Sequence, residues 1–219
     1  MDPAVSAPTT AALARAGRGQ SARGQHRQAA LLEAAADLLL EQGLGSVNHR
    51  GVAAQAALPL AATTYYFASL QDLRDQAIGH LADRWLQRAH AAVGDLPQRL
   101  DGAEDVARAV VRVVTGAGPT TDSPPHHLLV MYERYLEAGR HPQLRPLVVA
   151  YNNELAALVQ EVLRRGGFPC SPQNARLALD VVDGAIITAL AEGRPPSRTA
   201  ARALANLLAV VRRDAVPGA

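Results

Sequence analysis

The sequence predicts an all-α protein, and three observations support that fold class. Hydrophobic residues make up 48% of the 219-residue chain but aromatic residues only 4%, so alanine, leucine and valine have to fill the cores. Alanine and leucine are among the best helix formers. Apolar residues recur at three- and four-residue spacing, whereas no run of alternating β-branched and polar residues is long enough to predict a strand. We expect about nine helices.

The N-terminal part of the chain predicts a tail followed by three helices. Residues 1–24 mix Pro, Ala, Gly, Thr and Arg without a helical stripe, which predicts a mobile tail. A strongly periodic segment predicts the first helix over 25–42. Asn48 is a good N-cap for a helix of about two turns. Pro59 fits the first turn of the next helix, which we predict to end at residue 67.

The remaining helices are longer and are separated by Pro/Gly breaks. Ser69 is expected to cap a long fourth helix, and Asp101 and Glu104 have capping-box spacing at the start of the fifth. A clear break covers 116–125. Ser197 is expected to cap the last helix. Three further helices are predicted over 128–140, 144–165 and 172–192.

The two short helices before residue 67 describe a helix-turn-helix, because small residues lie where they cross and a tight turn joins them. In such a unit the second helix enters the major groove of DNA. Hydroxyls of Thr63 and Thr64 could then donate to phosphate oxygens, and the rings of Tyr65 and Tyr66 could lie against sugars and thymine methyl groups. An ordinary helical hairpin with its tyrosines in the core fits the same spacing, so spacing alone leaves both alternatives open.

The region from Arg27 to Leu81 resembles the DNA-binding domain of the TetR family of bacterial transcriptional regulators. The resemblance is carried by RQAALLEAAADLLLEQG and then by HRGVAAQAALPLAATTYYFASLQDL. The shared order is an alanine-rich first helix ending in glycine, a helix-turn-helix, an aromatic pair with Phe67, and a fourth helix led by serine. Phe67 is expected to be a core anchor.

Three positions depart from the family pattern. Ala57 stands where the family usually has a glycine in the turn, and Ala61 where it often has a glycine at the start of the recognition helix. Leu70 replaces the phosphate-binding lysine of many members. An alanine at positive φ costs on the order of 1 kcal/mol, so we expect a slightly altered turn.

The resemblance implies that Arg50 contacts DNA, either by reading a guanine or by holding a phosphate. No charged residue lies between Leu60 and Phe67, so direct readout by the recognition helix should be sparse and DNA shape should matter. The residues expected to bind DNA are His49, Arg50, Leu60, Ala62, Thr63, Thr64, Tyr65 and Tyr66.

The resemblance also implies that the second half binds a small ligand and dimerises. We place a DNA-binding domain at 25–87 and an effector-binding and dimerisation domain at 88–219. Asp183 is expected to serve helix packing or the interface. The residues expected to line a ligand pocket are Trp85, His127, Met131, Tyr135, Tyr151, Asn152 and Asp180. The residues expected in the dimer interface are Val181, Ala185, Ile186, Ala189, Leu204, Leu208 and Val211.

Other function classes find little support in the residues. The chain has no G-x-S-x-G, H-E-x-x-H or P-loop motif, so we expect no enzymatic activity and no cofactor. Its single cysteine excludes an internal disulfide and a cysteine-cluster metal site. His126, His127 and His141 could suggest a metal, but the two adjacent histidines would point to different sides of a helix, so no metal is expected. No membrane-length apolar run and no signal core are present, which predicts a cytoplasmic protein.

The sequence therefore predicts a homodimeric transcriptional regulator that binds a palindromic DNA operator and responds to an unknown small-molecule effector. Repression is favoured over activation. The alternative is an all-α ligand-binding or interaction protein that has lost DNA binding, which Ala57, Ala61 and Leu70 favour.

Overall fold

The structure, a computed structural model, describes residues 22–116 and 125–214. Within these ranges the regular structure is α-helical, with two short 3-10 turns and no strand, which confirms the predicted fold class. The helices are α1 (Ala22–Gln42), α2 (His49–Gln55), α3 (Leu60–Tyr66), α4 (Leu70–Gly94), α5 (Gly102–Thr115), α6 (Pro125–Arg140), α7 (Arg145–Arg165), α8 (Pro172–Ala191) and α9 (Pro196–Asp214).

Each of the nine predicted helices is present in the described part of the chain. The predicted tail over 1–24 lies outside the described residues except for 22–24, which belong to α1. Most of the predicted break over 116–125 also lies outside them. In the described ranges, no helix combines the length and the apolar character needed to cross a membrane.

Two helices begin with the predicted side-chain caps. The Asn48 carboxamide oxygen accepts from the backbone N–H of Gly51 at 2.9 Å and so caps α2. At α4 the Ser69 hydroxyl accepts from the N–H of Asp72 at 3.0 Å. The Asp72 carboxylate in turn accepts from the N–H of Ala68 at 2.8 Å. These reciprocal bonds fix the direction in which the chain leaves the helix-turn-helix.

Two other predicted caps are wrong. Asp101 occupies the N-cap position of α5, but its side chain makes no capping hydrogen bond. Glu104 and Asp105 instead place negative charge in the first turn of that helix, where it complements the helix dipole. Ser197 lies inside α9, which begins one residue earlier.

The first three helices and the start of α4 pack around a common apolar centre. Phe67 is 2% exposed in it, as the sequence predicts for a core anchor. Val47 and Leu73 are fully buried beside the same cluster. The Arg74 guanidinium donates from Nε to the carbonyl of Val47 at 3.0 Å, which ties α4 to the segment before α2. The helix-turn-helix is therefore held on a rigid support.

The C-terminal helices form a bundle in which α9 packs against α5 and α8, and α7 packs against α4 and α8. Arg165 ties the end of α7 to the end of α4, because its guanidinium donates to the carbonyls of Val93 and Leu96 at 2.9 and 3.1 Å. Hydrogen bonds from Arg164 and Arg165 lower the pKa of Glu161 to about 2. That carboxylate stays ionised far into the acid range.

The helix α1 connects the two groups of helices, since it packs against α2, α4 and α6. Arg84 of α4 holds it in place with ion pairs to Glu33 and Asp37 at 3.0 and 2.7 Å. The helix α1 is therefore in contact with the helix-turn-helix and with α6 of the second half.

Candidate DNA-binding surface and ligand-binding residues

The turn between α2 and α3 has the hydrogen bonds of a Schellman motif. The N–H of Leu58 bonds to the carbonyl of Ala53 at 2.9 Å, and the N–H of Ala57 bonds to that of Ala54 at 3.1 Å. Ala57 has φ 51° and is the one non-glycine residue with positive φ in the described part of the chain. The expected altered turn is therefore wrong: the alanine takes the left-handed conformation that glycine usually supplies.

One face of α3 is exposed and carries the tyrosines. Tyr65 is 76% exposed and Leu60 is 49% exposed. Thr64 is also exposed, and Tyr66 is half-buried. The two tyrosine rings meet edge to face with their centroids 4.9 Å apart. The helical hairpin with its tyrosines in the core does not describe this arrangement, because Tyr65 points to solvent.

The opposite face of α3 is buried, so one residue on it that was predicted to bind DNA cannot do so. Thr63 is fully buried, and its hydroxyl donates to the carbonyl of Leu60 at 2.8 Å. A side chain without exposed surface cannot meet DNA, so Thr63 is a packing residue. Ala62 is partly buried against the core. The Thr64 hydroxyl donates to the carbonyl of Ala61 at 3.2 Å but remains on the exposed side.

Exposed arginines lie on the two helices that precede this uncharged helix in the chain. Arg50 lies exposed in the first turn of α2, with no ion-pair partner among the described residues. His49 beside it is half-buried, and its Nδ1 atom is buried without a hydrogen-bond partner in the described part of the structure. Arg23 and Arg27 are exposed on the first turns of α1. Arginines offer forks of donors that match phosphate oxygens and guanine edges.

A cluster of polar and aromatic side chains lies inside the second half, between α6, α7 and α8. The Tyr132 hydroxyl donates to the Asp183 carboxylate at 2.9 Å, and the Tyr135 hydroxyl donates to the Asn152 carboxamide oxygen at 2.8 Å. The rings of Tyr132 and Tyr135 stack with centroids 6.1 Å apart. Burial, and then the charge of Asp183, raise the pKa of Tyr132 far above its usual value, so the phenol stays a donor.

The predicted ligand-binding residues are distributed over four environments. Tyr135, Tyr151 and Asn152 belong to the polar cluster or lie against it. His127 is partly buried, and burial together with the neighbouring histidine lowers its pKa. Asp180 is exposed on the surface of α8, so its expected place in an internal pocket is wrong. Met131 and Trp85 are buried in the apolar core.

Trp85 also lines a small pocket between α1, α4 and α6. The space of about 310 Å³ at this pocket includes the open solvent at its mouth. Sequence reasoning did not find the other residues of this junction pocket, although Glu133 and Glu137 at i and i+4 share a face of α6. The apolar lining residues are Leu39, Leu44, Ile78, Leu81, Trp85 and Val130. The charged lining residues are Glu133 and Glu137.

The predicted dimer-interface residues divide between the core and the surface. Ile186, Ala189 and Leu204 have no exposed surface in the single chain, and Leu208 is 5% exposed. These four pack within the bundle and cannot contact a second copy directly. Val181, Ala185 and Val211 are half-exposed. The large apolar residues that α8 and α9 do expose are Leu177, Ile187 and Val210.

The fold and the exposed second helix of the hairpin define a helix-turn-helix transcriptional regulator. Residues 101–210, about half of the chain, match the family described as Tetracyclin repressor-like, C-terminal domain. The chain belongs to the TetR family. The resemblance that its N-terminal helices carry is thus confirmed by a match over its C-terminal helices.

Relatives and solved structures agree with this assignment. The chain is 25% identical over 175 residues to the HTH-type nicotine-responsive transcriptional repressor HdnoR of Paenarthrobacter nicotinovorans, covering 78% of this chain and 87% of the relative. The multidrug binding protein EbrR complexed with proflavin has a TM-score of 0.61 and 28% identity over 83% of this chain and 99% of its own. A TetR-family member from Streptomyces coelicolor A3 has a TM-score of 0.58 and 28% identity, covering 83% and 98%. Relatives named as transcriptional regulators belong to a class that is not enzymatic.

Proposed function

We propose that the chain is a ligand-responsive repressor that acts as a homodimer on a palindromic DNA operator and has no enzymatic activity. The observation that carries this proposal is the exposed face of α3, where Tyr65 stands out from a helix whose other side is sealed by Thr63 and Phe67. The exposed ring and hydroxyl of Tyr65 can meet sugars and phosphate oxygens when α3 enters a DNA groove. The exposed arginines on α1 and α2 fit a nucleic-acid partner.

On the DNA side, we assign the contacts to residues 25–87. Tyr65, Thr64 and Leu60 would lie in the major groove, while the exposed Arg50 reaches a base edge or a phosphate. Because α3 has no charged residue, phosphates and DNA shape would contribute much of the specificity. The half-buried His49 is better suited to positioning α2 than to base readout.

For dimerisation, we assign the contact to the outer faces of α8 and α9 in residues 88–219. Leu177, Val181, Gly184 and Ile187 recur at three- and four-residue spacing on the exposed side of α8. Val210 continues an exposed apolar surface on α9. These exposed faces would form an isologous four-helix contact between two protomers. The buried faces of α8 and α9 pack in the core of each protomer.

For regulation, an effector would act through α6, α4 and α1. Ligand-dependent movement of α6 would press on α1, which is fixed to α4 by Arg84. Two recognition helices have to stand about 34 Å apart to enter successive major grooves. A small change in that separation would release the operator. The names of HdnoR and EbrR, a nicotine-responsive repressor and a multidrug binding protein, support a small organic effector.

Fluorescence anisotropy with labelled duplexes from the region upstream of the protein's own coding sequence tests this proposal. Specific binding should saturate at two protomers per site and weaken steeply between about 50 and 200 mM salt, because phosphate contacts release counterions. Purified protein that remains dimeric but shows no salt-dependent DNA binding would favour the alternative, a helical ligand-binding protein that has lost DNA binding.

A further inference from the structure

A surface cavity of about 330 Å³ lies where α7 ends and α5 begins. Its walls are the loop that leads into α5, over 98–101, and the last residues of α7 with the two glycines that follow them. Its volume falls in the usual range for ligand pockets, roughly 300–1,000 Å³. This arginine-lined cavity shares no lining residue with the junction pocket and lies apart from the polar tyrosine cluster.

The charge of the arginine-lined cavity is mainly positive. Arg99, Arg164 and Arg165 line it, against the single acid Asp101. Glu161 compensates only part of this charge, because its one carboxylate accepts hydrogen bonds from both Arg164 and Arg165, at 2.7 and 2.8 Å. Arg99 is exposed and has no ion-pair partner among the described residues. The cavity therefore favours an anion.

The acids in the first turn of α5 do not cancel this charge, because they have a cation of their own. Arg108 donates to Glu104 at 3.4 Å and also pairs with Asp105. None of these three side chains lines the cavity. The positive side chains at its wall thus remain available to a ligand.

The guanidinium groups keep hydrogen-bond donors that no described residue uses. Arg164 binds Glu161 through Nε and Nη2, so its Nη1 is uncommitted. Arg165 uses Nε for Glu161 and Nη1 for the carbonyls at the end of α4, so its Nη2 is uncommitted. The whole guanidinium of Arg99 is uncommitted as well. Arginine donors match the oxygens of a phosphate group in spacing and in charge.

The rest of the wall fits a polar ligand rather than a flat aromatic one. Leu100 is the one large apolar residue of the lining, and none of the described lining residues is aromatic. A nucleobase would therefore find no ring on which to stack. At Gly102 and Gly167 a Cβ would meet nothing within 4 Å, so a ligand can approach the backbone there.

We propose that the arginine-lined cavity binds a small polar phosphate ester, such as a sugar phosphate. Arg99 and the uncommitted donors of Arg164 and Arg165 hold the phosphate oxygens, while Gln98 and the backbone of the glycines meet the hydroxyl groups. This site goes beyond the proposed repressor function, since it involves neither the DNA-binding surface nor the tyrosine cluster.

Calorimetric titration with ribose 5-phosphate at low salt tests the site, with neutral ribose for comparison. The ester should give a saturating heat and should raise the melting temperature, whereas ribose should do neither. Arg99→Gln should weaken binding about fivefold, the upper range for an exposed ion pair. Asp101→Asn should strengthen it about twofold, because a repelling charge is removed. The matched control is Arg145→Gln, an exposed arginine at the opposite end of α7, about 30 Å away along the helix, which should bind like wild type.

Three outcomes overturn the proposal: no saturating heat with ribose 5-phosphate, equal affinity of wild type and Arg99→Gln, or an equal loss in Arg99→Gln and Arg145→Gln. The last would mean that net charge alone attracts the anion. The three replaced side chains are exposed, so each variant should melt like wild type without ligand.

Two further titrations identify the ligand. If inorganic phosphate binds as tightly as the ester and responds to Arg99→Gln, the phosphate site stands and its ligand is free phosphate. Tighter binding of adenosine monophosphate than of ribose 5-phosphate would refute the polar-ligand argument. Operator binding is measured without any phosphate ester, so its absence would defeat the proposed function alone.

Discussion

Replacing Ala57 by glycine should stabilise the protein, because this alanine holds a left-handed conformation at the C′ position of a Schellman motif. With φ 51° its Cβ crowds the backbone, at a cost of about 1–2 kcal/mol relative to glycine. Glycine loses more backbone entropy on folding, which offsets about 0.5–1 kcal/mol of that gain. The net expectation for Ala57→Gly is a gain of about 0.5–1 kcal/mol in the free energy of unfolding.

The matched control is the same substitution four residues further along the chain. Ala61 is also exposed, but it lies in the first turn of α3 with right-handed helical geometry. There the change to glycine should cost about 0.5–1 kcal/mol. The two variants therefore have the same chemistry, similar exposure and opposite predicted signs.

Urea unfolding followed by circular dichroism at fixed protein concentration measures both effects. The midpoint for Ala57→Gly should rise and that for Ala61→Gly should fall, with an unchanged dependence on denaturant. For a chain of this size, a gain of 1 kcal/mol corresponds to about 2–4 °C in melting temperature. A lower midpoint for Ala57→Gly would refute the reasoning, since it would mean that the turn does not hold a left-handed residue.

Three further changes have definite expected results. If Arg50 reads a guanine, Arg50→Ala should cost about 1–3 kcal/mol in operator binding and relax the preference at one base pair. If anisotropy titrations show an equal loss of affinity for every duplex, Arg50 contacts a phosphate instead. The pKa of Glu161 is held at about 2 in the folded protein against 4.5 ordinarily, so its stabilisation is complete above 4.5 and is lost as pH falls towards 2. Glu161→Gln should be less stable than wild type at neutral pH and should approach it in acid, as urea unfolding at several pH values will show; a constant difference would refute the assignment. Gly166→Ala should lower the free energy of unfolding by about 1–3 kcal/mol in urea, because the new Cβ would lie 2.2 Å from a methyl group of Val106. Gly139→Ala on α6 is the control: its Cβ would meet nothing within 4 Å, so the change should be neutral or slightly stabilising.

The helices could be predicted from the sequence because their periodicity and their Gly and Pro breaks are local properties. The burial of Thr63 was also available from spacing, since it lies one helical turn before the buried Phe67. The prediction that both threonines and both tyrosines face DNA does not agree with the i, i+4 spacing of Thr63 and Phe67. Tyr65 lies on the other side of the helix and is exposed, as the DNA-binding hypothesis requires.

Other parts of the candidate sites depend on tertiary contacts that one sequence does not specify. The helix α8 is apolar on more than one side. The hydrophobic pattern of its sequence therefore does not distinguish the buried side, with Ile186, from the exposed side, with Ile187. The junction pocket joins Leu39, Trp85 and Glu133 from three helices far apart in sequence. Nothing in the sequence around Glu133 indicates that it will face α1.

Operator affinity of Tyr65→Ala, measured by anisotropy beside Leu136→Ala, tests the DNA-binding surface of α3 most directly. Both residues are large and exposed, at 76% and 60%, but Leu136 lies on α6 away from the helix-turn-helix. We predict that Tyr65→Ala loses about tenfold or more in operator affinity with an unchanged melting temperature, while Leu136→Ala binds like wild type. Equal affinity of Tyr65→Ala and wild type would contradict the assignment of this face to DNA.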